Sequence, residues 1–145
     1  DDAKASDKIV ALKAQSLSAI NHRPLMSLVH QCWNLEAVEQ NYQYFLHRFT
    51  PLLRLLKKNS APDTQDCFLA RALLIHEYRR VMLRDPQLPP QLLPRHWHGK
   101  QARDLAKNIY SLTLRSAEEH LISVLEARRG KLPNAAPYFF RRFGG

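Results

Sequence analysis

The chemistry-bearing side chains of this chain crowd between residues 69 and 98. The segment Leu69 to Pro94, LARALLIHEYRRVMLRDPQLPPQLLP, carries Arg71, His76, Glu77, Arg79, Arg80 and Arg84 and is stopped by Asp85-Pro86. The triplet His96-Trp97-His98 follows closely. Histidines beside a glutamate could suggest a metal centre, but no H-E-x-x-H and no C-x-x-C spacing occurs, so no metal is expected. Nucleophilic catalysis needs a nucleophile, a base and an orienting group within reach. Cys32 and Cys67 have His30 and His76 near them only along the chain. There is no G-x-S-x-G, no P-loop and no G-x-G-x-x-G, so no catalytic residue and no enzyme activity are expected. The arginines point instead to the recognition of anions. A guanidinium does not lose its proton, so one set in an apolar stripe must find acceptors or reach water.

At 100° per residue, Phe68, Ala72, Ile75 and Met82 form one stripe, with Arg79 in its middle, while Leu74, Tyr78 and Val81 cover another side. A helix apolar nearly all round belongs at the centre of a domain. Two readings of its charges follow. In one, Glu77, Arg79 and Asp85 form an internal ion-pair network. In the other, His76, Arg79, Arg80, Arg84 and Trp97 gather an anionic ligand. The two are compatible, since a ligand competing for such pairs makes a switch.

The elements that must position these groups are helical. Leu35, Val38, Tyr42, Phe45, Leu46, Phe49, Leu52, Leu53 and Leu56 share one arc from Leu35 to Lys58, with Pro51 expected to kink the helix near His47. Pro24 opens a shorter helix reaching about Cys32. The central helix spans Gln65–Asp85, with Pro62 near its first turn. Pro86, Pro89, Pro90 and Pro94 stiffen the connection that follows, with one helical turn at Gln91–Leu93. A helix from Lys100 to Leu114 buries Ala102, Leu105, Ala106, Ile109, Leu112 and Thr113. Ser116 with Glu119 matches a capping box, so a last helix should begin there and end at Gly130 as C-cap. No alternating strand pattern appears. The expected fold is therefore all-α: one compact domain of five to six helices around a central buried helix. Residues 1–23 read as a linker or the tail of a preceding domain, 24–130 as the helical domain and 131–145 as an aromatic tail. Tyr138, Phe139, Phe140 and Phe143 of that tail should fold back or cover a neighbour.

The chain has 145 residues and a net charge of +9, which favours anionic partners. The densest basic clusters are Arg79-Arg80, Arg128-Arg129-Gly130-Lys131 and Arg141-Arg142. A DNA-reading helix needs a polar, basic face, whereas the arginines here sit among apolar residues. No apolar run approaches the roughly 20 residues of a membrane span. The opening DDAKASDK has neither a starting Met nor the apolar core of a signal peptide, so the chain reads as a piece of a longer protein. Two cysteines in apolar surroundings read as reduced core residues of a cytoplasmic protein.

The run from Ala70 to Trp97, with IHEYRR, LRDP, LP and LLP in order and then Gly99 and Ala102-Arg103, resembles the C-terminal domain of the PaaX family. These are bacterial repressors of phenylacetic acid degradation. Trp33, Leu35, Tyr42, Phe45, Leu46 and Phe49 in CWNLEAVEQNYQYFLHRF match the earlier part of the same domain, and together the resemblance covers about residues 24–127. It implies a longer homodimeric parent with an N-terminal winged helix that reads operator DNA and a middle α/β domain. It further implies release from DNA by phenylacetyl-coenzyme A. No family catalytic residue transfers and no cofactor is implied. The effector is a polyanion with an adenine ring and an apolar acyl group. It needs cations, a stacking surface and a slot, and His76, Arg79, Arg80, Arg84 and Trp97 offer these kinds of group.

Overall fold

The computed structural model describes residues 25–59, 61–127, 130–131 and 136–138. Four α-helices follow one another: α1 (Leu25–Cys32), α2 (Leu35–Lys58), α3 (Thr64–Met82) and α4 (Gly99–Val124). A 3-10 turn at Pro90–Leu92 interrupts the connection from α3 to α4. The strands β1 (Glu126–Ala127) and β2 (Gly130–Lys131) pair antiparallel over two residues each. The chain divides into two units, one ending at Cys32 and the other beginning at Trp33. The first contains α1 and the second all the other elements.

Local sequence sets the helix ends. The Asn34 side chain accepts the Ala37 N–H at 3.0 Å and starts α2. Asp63 does the same for α3, accepting from Gln65 and Asp66, with Pro62 directly ahead of this cap. Lys57 and Lys58 sit in the last turn of α2, where the helix dipole favours cations. α2 runs through Pro51, whose missing donor falls on an exposed position. Its predicted apolar arc faces inward. Leu35, Val38, Tyr42, Phe45 and Phe49 are buried, and Leu46, Leu52, Leu53 and Leu56 pack at the margin of the core.

α3 and α4 make the most extensive pairing, and α2 packs on both. α4 presents Ala102, Ala106, Thr113 and Ala117 to the interior, all fully buried, and these small side chains let the helices approach closely. Leu105, Ile109 and Tyr110 fill the space around them, while Leu112, expected inside, is exposed.

The all-α class agrees with the sequence reading, but the helices number four among the described residues rather than five or six. Ser116 does not begin a helix. It lies within α4. The buried face of α4 continues from Thr113 to Ala117, so the helix runs straight through Ser116. Gly130 is not a helix C-cap either. α4 ends at Leu125, and Gly130 takes its φ of 117° where β2 begins. α3 is also not buried all round. Its interior face is Cys67, Arg71, Leu74, Tyr78 and Val81, whereas Leu69, Ala72, Leu73, His76, Arg79 and Arg80 are exposed. The expected linker 1–23, the pair Arg128-Arg129 and the aromatics Phe139, Phe140 and Phe143 lie outside the described residues; Tyr138 is 73% exposed.

Candidate functional site

The cation in the core is Arg71, not Arg79. Arg71 continues the Leu74, Tyr78 and Val81 stripe back by one turn, and that stripe is the one that faces α4. Its guanidinium meets Glu118 at 2.7 Å and lies over the Tyr110 ring, 5.9 Å from the centroid. A carboxylate close by and an aromatic face beside it supply negative company for this buried guanidinium. Arg79 is exposed because the stripe it shares with Phe68, Ala72, Ile75 and Met82 runs along the flank of the buried face rather than at its centre. The network expected of Glu77, Arg79 and Asp85 is accordingly divided among other partners. Glu77 accepts from Arg80 at 3.3 Å, one turn along the same helix. Asp85 turns inward and accepts the Tyr42 hydroxyl at 2.5 Å.

Two clefts flank the C-terminal end of α3. The first, about 290 Å³, lies between α2 and α3 and is lined by Asn41, Tyr44, Phe45, Glu77, Arg80, Val81 and Arg84. It brings together two of the predicted cations, Arg80 and Arg84, spaced one helical turn apart. The second, about 410 Å³, is roofed by the proline-rich connection and the start of α4. Its walls include Tyr42, Tyr78, Met82, Asp85, Trp97, Lys100 and Arg103. Predicted Trp97 is here, apart from Arg80 and Arg84. His76 and Arg79 line neither cleft and stand on the exposed face of α3.

The second cleft is held by polar contacts that join distant parts of the chain. Asp85 uses one carboxylate oxygen for Tyr42 and the other for the Gln87 N–H at 2.7 Å, fixing a turn in which Gln87 has a φ of 51°. Burial, reinforced by Asp85, pushes the Tyr42 hydroxyl pKa well above the ordinary tyrosine value. Burial also raises Tyr78, with Arg103 acting in the opposite sense. The Trp97 ring meets Tyr42 edge-on at 5.5 Å. Gly99 makes room for the indole, since a Cβ there would lie 2.6 Å from Trp97 Nε1. Glu39 of α2 fixes the start of α4 by accepting from the His98 backbone N–H at 3.0 Å and pairing with His98 Nδ1. His98 in the histidine pair around Trp97 is thus a structural anchor. Among the described residues no three His, Cys, Asp or Glu side chains gather as a metal site would require.

The sequence reading did not pick out Tyr42, Tyr44, Asn41, Lys100 or Arg103 as site residues. Tyr42 was hidden in the core arc of α2, of which it is a full member. Lys100 and Arg103 carried a usable signal. They occupy the opening turns of a 26-residue helix, where the dipole disfavours cations, so their placement there calls for another reason.

A family model for the PaaX-like protein C-terminal domain matches residues 33–123. The chain is also 38% identical over 145 residues to the transcriptional repressor PaaX of Escherichia coli (strain K12). That alignment covers 99% of this chain but 46% of the relative, so the chain spans about half the length of the protein it matches.

Proposed function

The chain belongs to the PaaX-like C-terminal domain family, and from that premise we propose that it is the effector-responsive part of a bacterial transcriptional repressor of phenylacetate catabolism. In this reading its ligand is phenylacetyl-coenzyme A. Operator DNA is read by a winged helix elsewhere in a longer, cytoplasmic, homodimeric protein. The observation that carries the proposal is the pair of clefts at the C-terminal end of α3. Arg80 and Arg84 supply a fork for phosphate oxygens beside the Tyr44 ring. The neighbouring cleft supplies an apolar, aromatic lining of Tyr42, Met82 and Trp97 with Lys100 and Arg103 beside it. A small acyl ring fits such a lining, and a volume of a few hundred Å³ suits a ligand fragment of that size. His76 and Arg79 stand on the adjoining exposed face, within the same helical turns, for an outlying phosphate.

Calorimetric titration of phenylacetyl-coenzyme A tests the proposal on this chain, on its full-length parent and on an Arg84→Ala variant. Binding to both proteins, weakened about tenfold or more by the loss of one charge-assisted phosphate contact, is the expected result. Binding to the parent alone would place the site in another domain. Binding to neither would remove the ligand.

A second reading, a dimerisation and interdomain packing module without its own ligand, is favoured by a different observation. α3 exposes Leu69 and Leu73 on the side turned away from its core face, and Leu83 at its C-cap is exposed as well.

A further inference from the structure

The charge of the second unit is unevenly spread. Residues 79–107 hold seven lysines and arginines against Asp85 and Asp104, a surplus that is more than half of the chain's net charge of +9. Arg79, Arg80 and Arg84 lie at or just beyond the end of α3, and Arg95 lies on the connection. Lys100, Arg103 and Lys107 follow on α4, and all seven are exposed. One end of the unit gathers them. Arg84 lines the first cleft and its neighbour Asp85 the second, which also takes in Lys100 and Arg103. The carboxylates nearby are already engaged. Asp85 serves Tyr42 and Gln87, Glu77 serves Arg80, and Glu39 serves His98. Among the described residues, Arg79, Arg84, Arg95 and Lys100 have no carboxylate within ion-pair distance. The far half of α4 differs, because Glu118 there meets Arg71 and Glu119 meets Arg115.

Lys100, Arg103 and Lys107 are spaced by three and four residues, so they form one row along the outside of α4, with Asp104 at its margin. The row is about 10 Å long at the helical rise of about 1.5 Å per residue. One strand of a duplex carries about three phosphates over that length. The helix dipole disfavours Lys100 and Arg103 in the opening turns, so the stability of α4 does not account for them. We propose that this basic end is a contact surface for the sugar–phosphate backbone of duplex DNA, with the row on α4 and the neighbouring Arg84 and Arg95 taking phosphates. The partner follows from shape as well as charge. An enclosed pocket suits a small anion, whereas cations strung over two helix ends and the connection between them suit an extended polyanion. For part of a transcriptional repressor that polyanion is DNA. Phosphate contacts position a protein on the duplex without reading its sequence, so base reading stays with another part of the parent. The inference rests on the repressor reading above and does not need the thioester.

Fluorescence anisotropy of a labelled DNA duplex, titrated with the full-length parent over a salt series, tests it. Arg95→Gln with Lys100→Gln removes two exposed cations of this end, and neither has a carboxylate partner to lose. Lys57→Gln with Lys58→Gln removes the same charge from the last turn of α2, at the other end of the unit, since it is Tyr42 in the first half of α2 that meets Asp85. The first pair should lower the slope of log affinity against log salt by about two and weaken binding about tenfold or more at about 0.1 M salt. The second pair should leave that slope where it is, and all three proteins should share one far-ultraviolet circular dichroism spectrum. Equal losses in both pairs show that net charge alone attracts the duplex, and overturn the surface. A slope that neither pair changes also overturns the surface and leaves the repressor reading standing. A parent that binds no duplex even at low salt overturns the repressor reading and this surface with it.

Discussion

Tyr42 joins three parts of the second unit through one side chain. Its ring lies in the core of α2 and meets Trp97 edge-on, while its hydroxyl reaches Asp85 just beyond the end of α3. Asp85 has its own turn to hold through the Gln87 N–H, so the tyrosine and the carboxylate together fix where the proline-rich connection leaves the helix. Tyr42→Phe keeps the ring and removes the hydrogen bond to a charged acceptor, which should cost about 1.5–3 kcal/mol in urea unfolding. The pH dependence follows in sign from the raised folded-state pKa values of Tyr42 and Tyr78. Below the ordinary tyrosine value of about 10 both states keep the proton, and the stability is fully present. Above it the unfolded chain ionises while the folded chain still holds its protons, so stability falls as pH rises. Tyr42→Phe should therefore flatten the alkaline loss without abolishing it, because Tyr78 still titrates. An alkaline limb identical in slope to that of the wild type would contradict this account of Tyr42.

At the scale of elements, the α3–α4 pairing is a largely apolar interface that encloses the Arg71–Glu118 ion pair. Glu118 holds Arg71, which is only 7% exposed. Removing Glu118 takes the nearest carboxylate from a mostly buried charge, so Glu118→Ala should cost up to about 3–5 kcal/mol. Replacing both, as Arg71→Met with Glu118→Leu, should cost about 1 kcal/mol or less, since apolar side chains of similar length can fill the space. Chemical denaturation of the three proteins reads both numbers. A double replacement as damaging as the single one would show that the pair has a further role, beyond its own compensation. The heptad position of Arg71 was open to inspection, because Leu74, Tyr78 and Val81 already mark that stripe. α3 nevertheless has apolar residues on almost every side, and periodicity gives such a helix no single inward direction. α2, with one well-defined arc, presented no such choice, and its inner face follows the expected residues one by one.

The whole molecule distinguishes its two free thiols by position. Cys32 is exposed, contrary to the expectation that both are core residues, whereas Cys67 is buried beneath α4. Burial pushes the Cys67 thiol pKa up, with the Ser116 hydrogen bond partly opposing the shift. An aromatic disulfide reagent should titrate Cys32 promptly in the native protein. It should reach Cys67 only through opening of the α3–α4 interface. Glu118→Ala should speed the second reaction and leave the first unchanged. Equal acceleration of both thiols would argue instead for a general loss of structure.

Much of the fold was determined by the sequence alone. The all-helical class, the core arc of α2 and the family resemblance carried by IHEYRR through LLP all depend on local period or residue order, whereas the central helix, expected to reach Asp85, ends at Met82. Other features needed the assembled chain. Ser116 has the spacing of a helix start yet lies in the middle of α4, because Thr113 and Ala117 on either side of it are both held in the core. The five candidate effector residues belong to one stretch of sequence, yet they divide among two clefts and an exposed face. A helix sends successive side chains in different directions, and only the neighbours packed against it decide which directions lead inward. Tertiary structure alone therefore put Arg71 inside and Arg79 outside on the same helix.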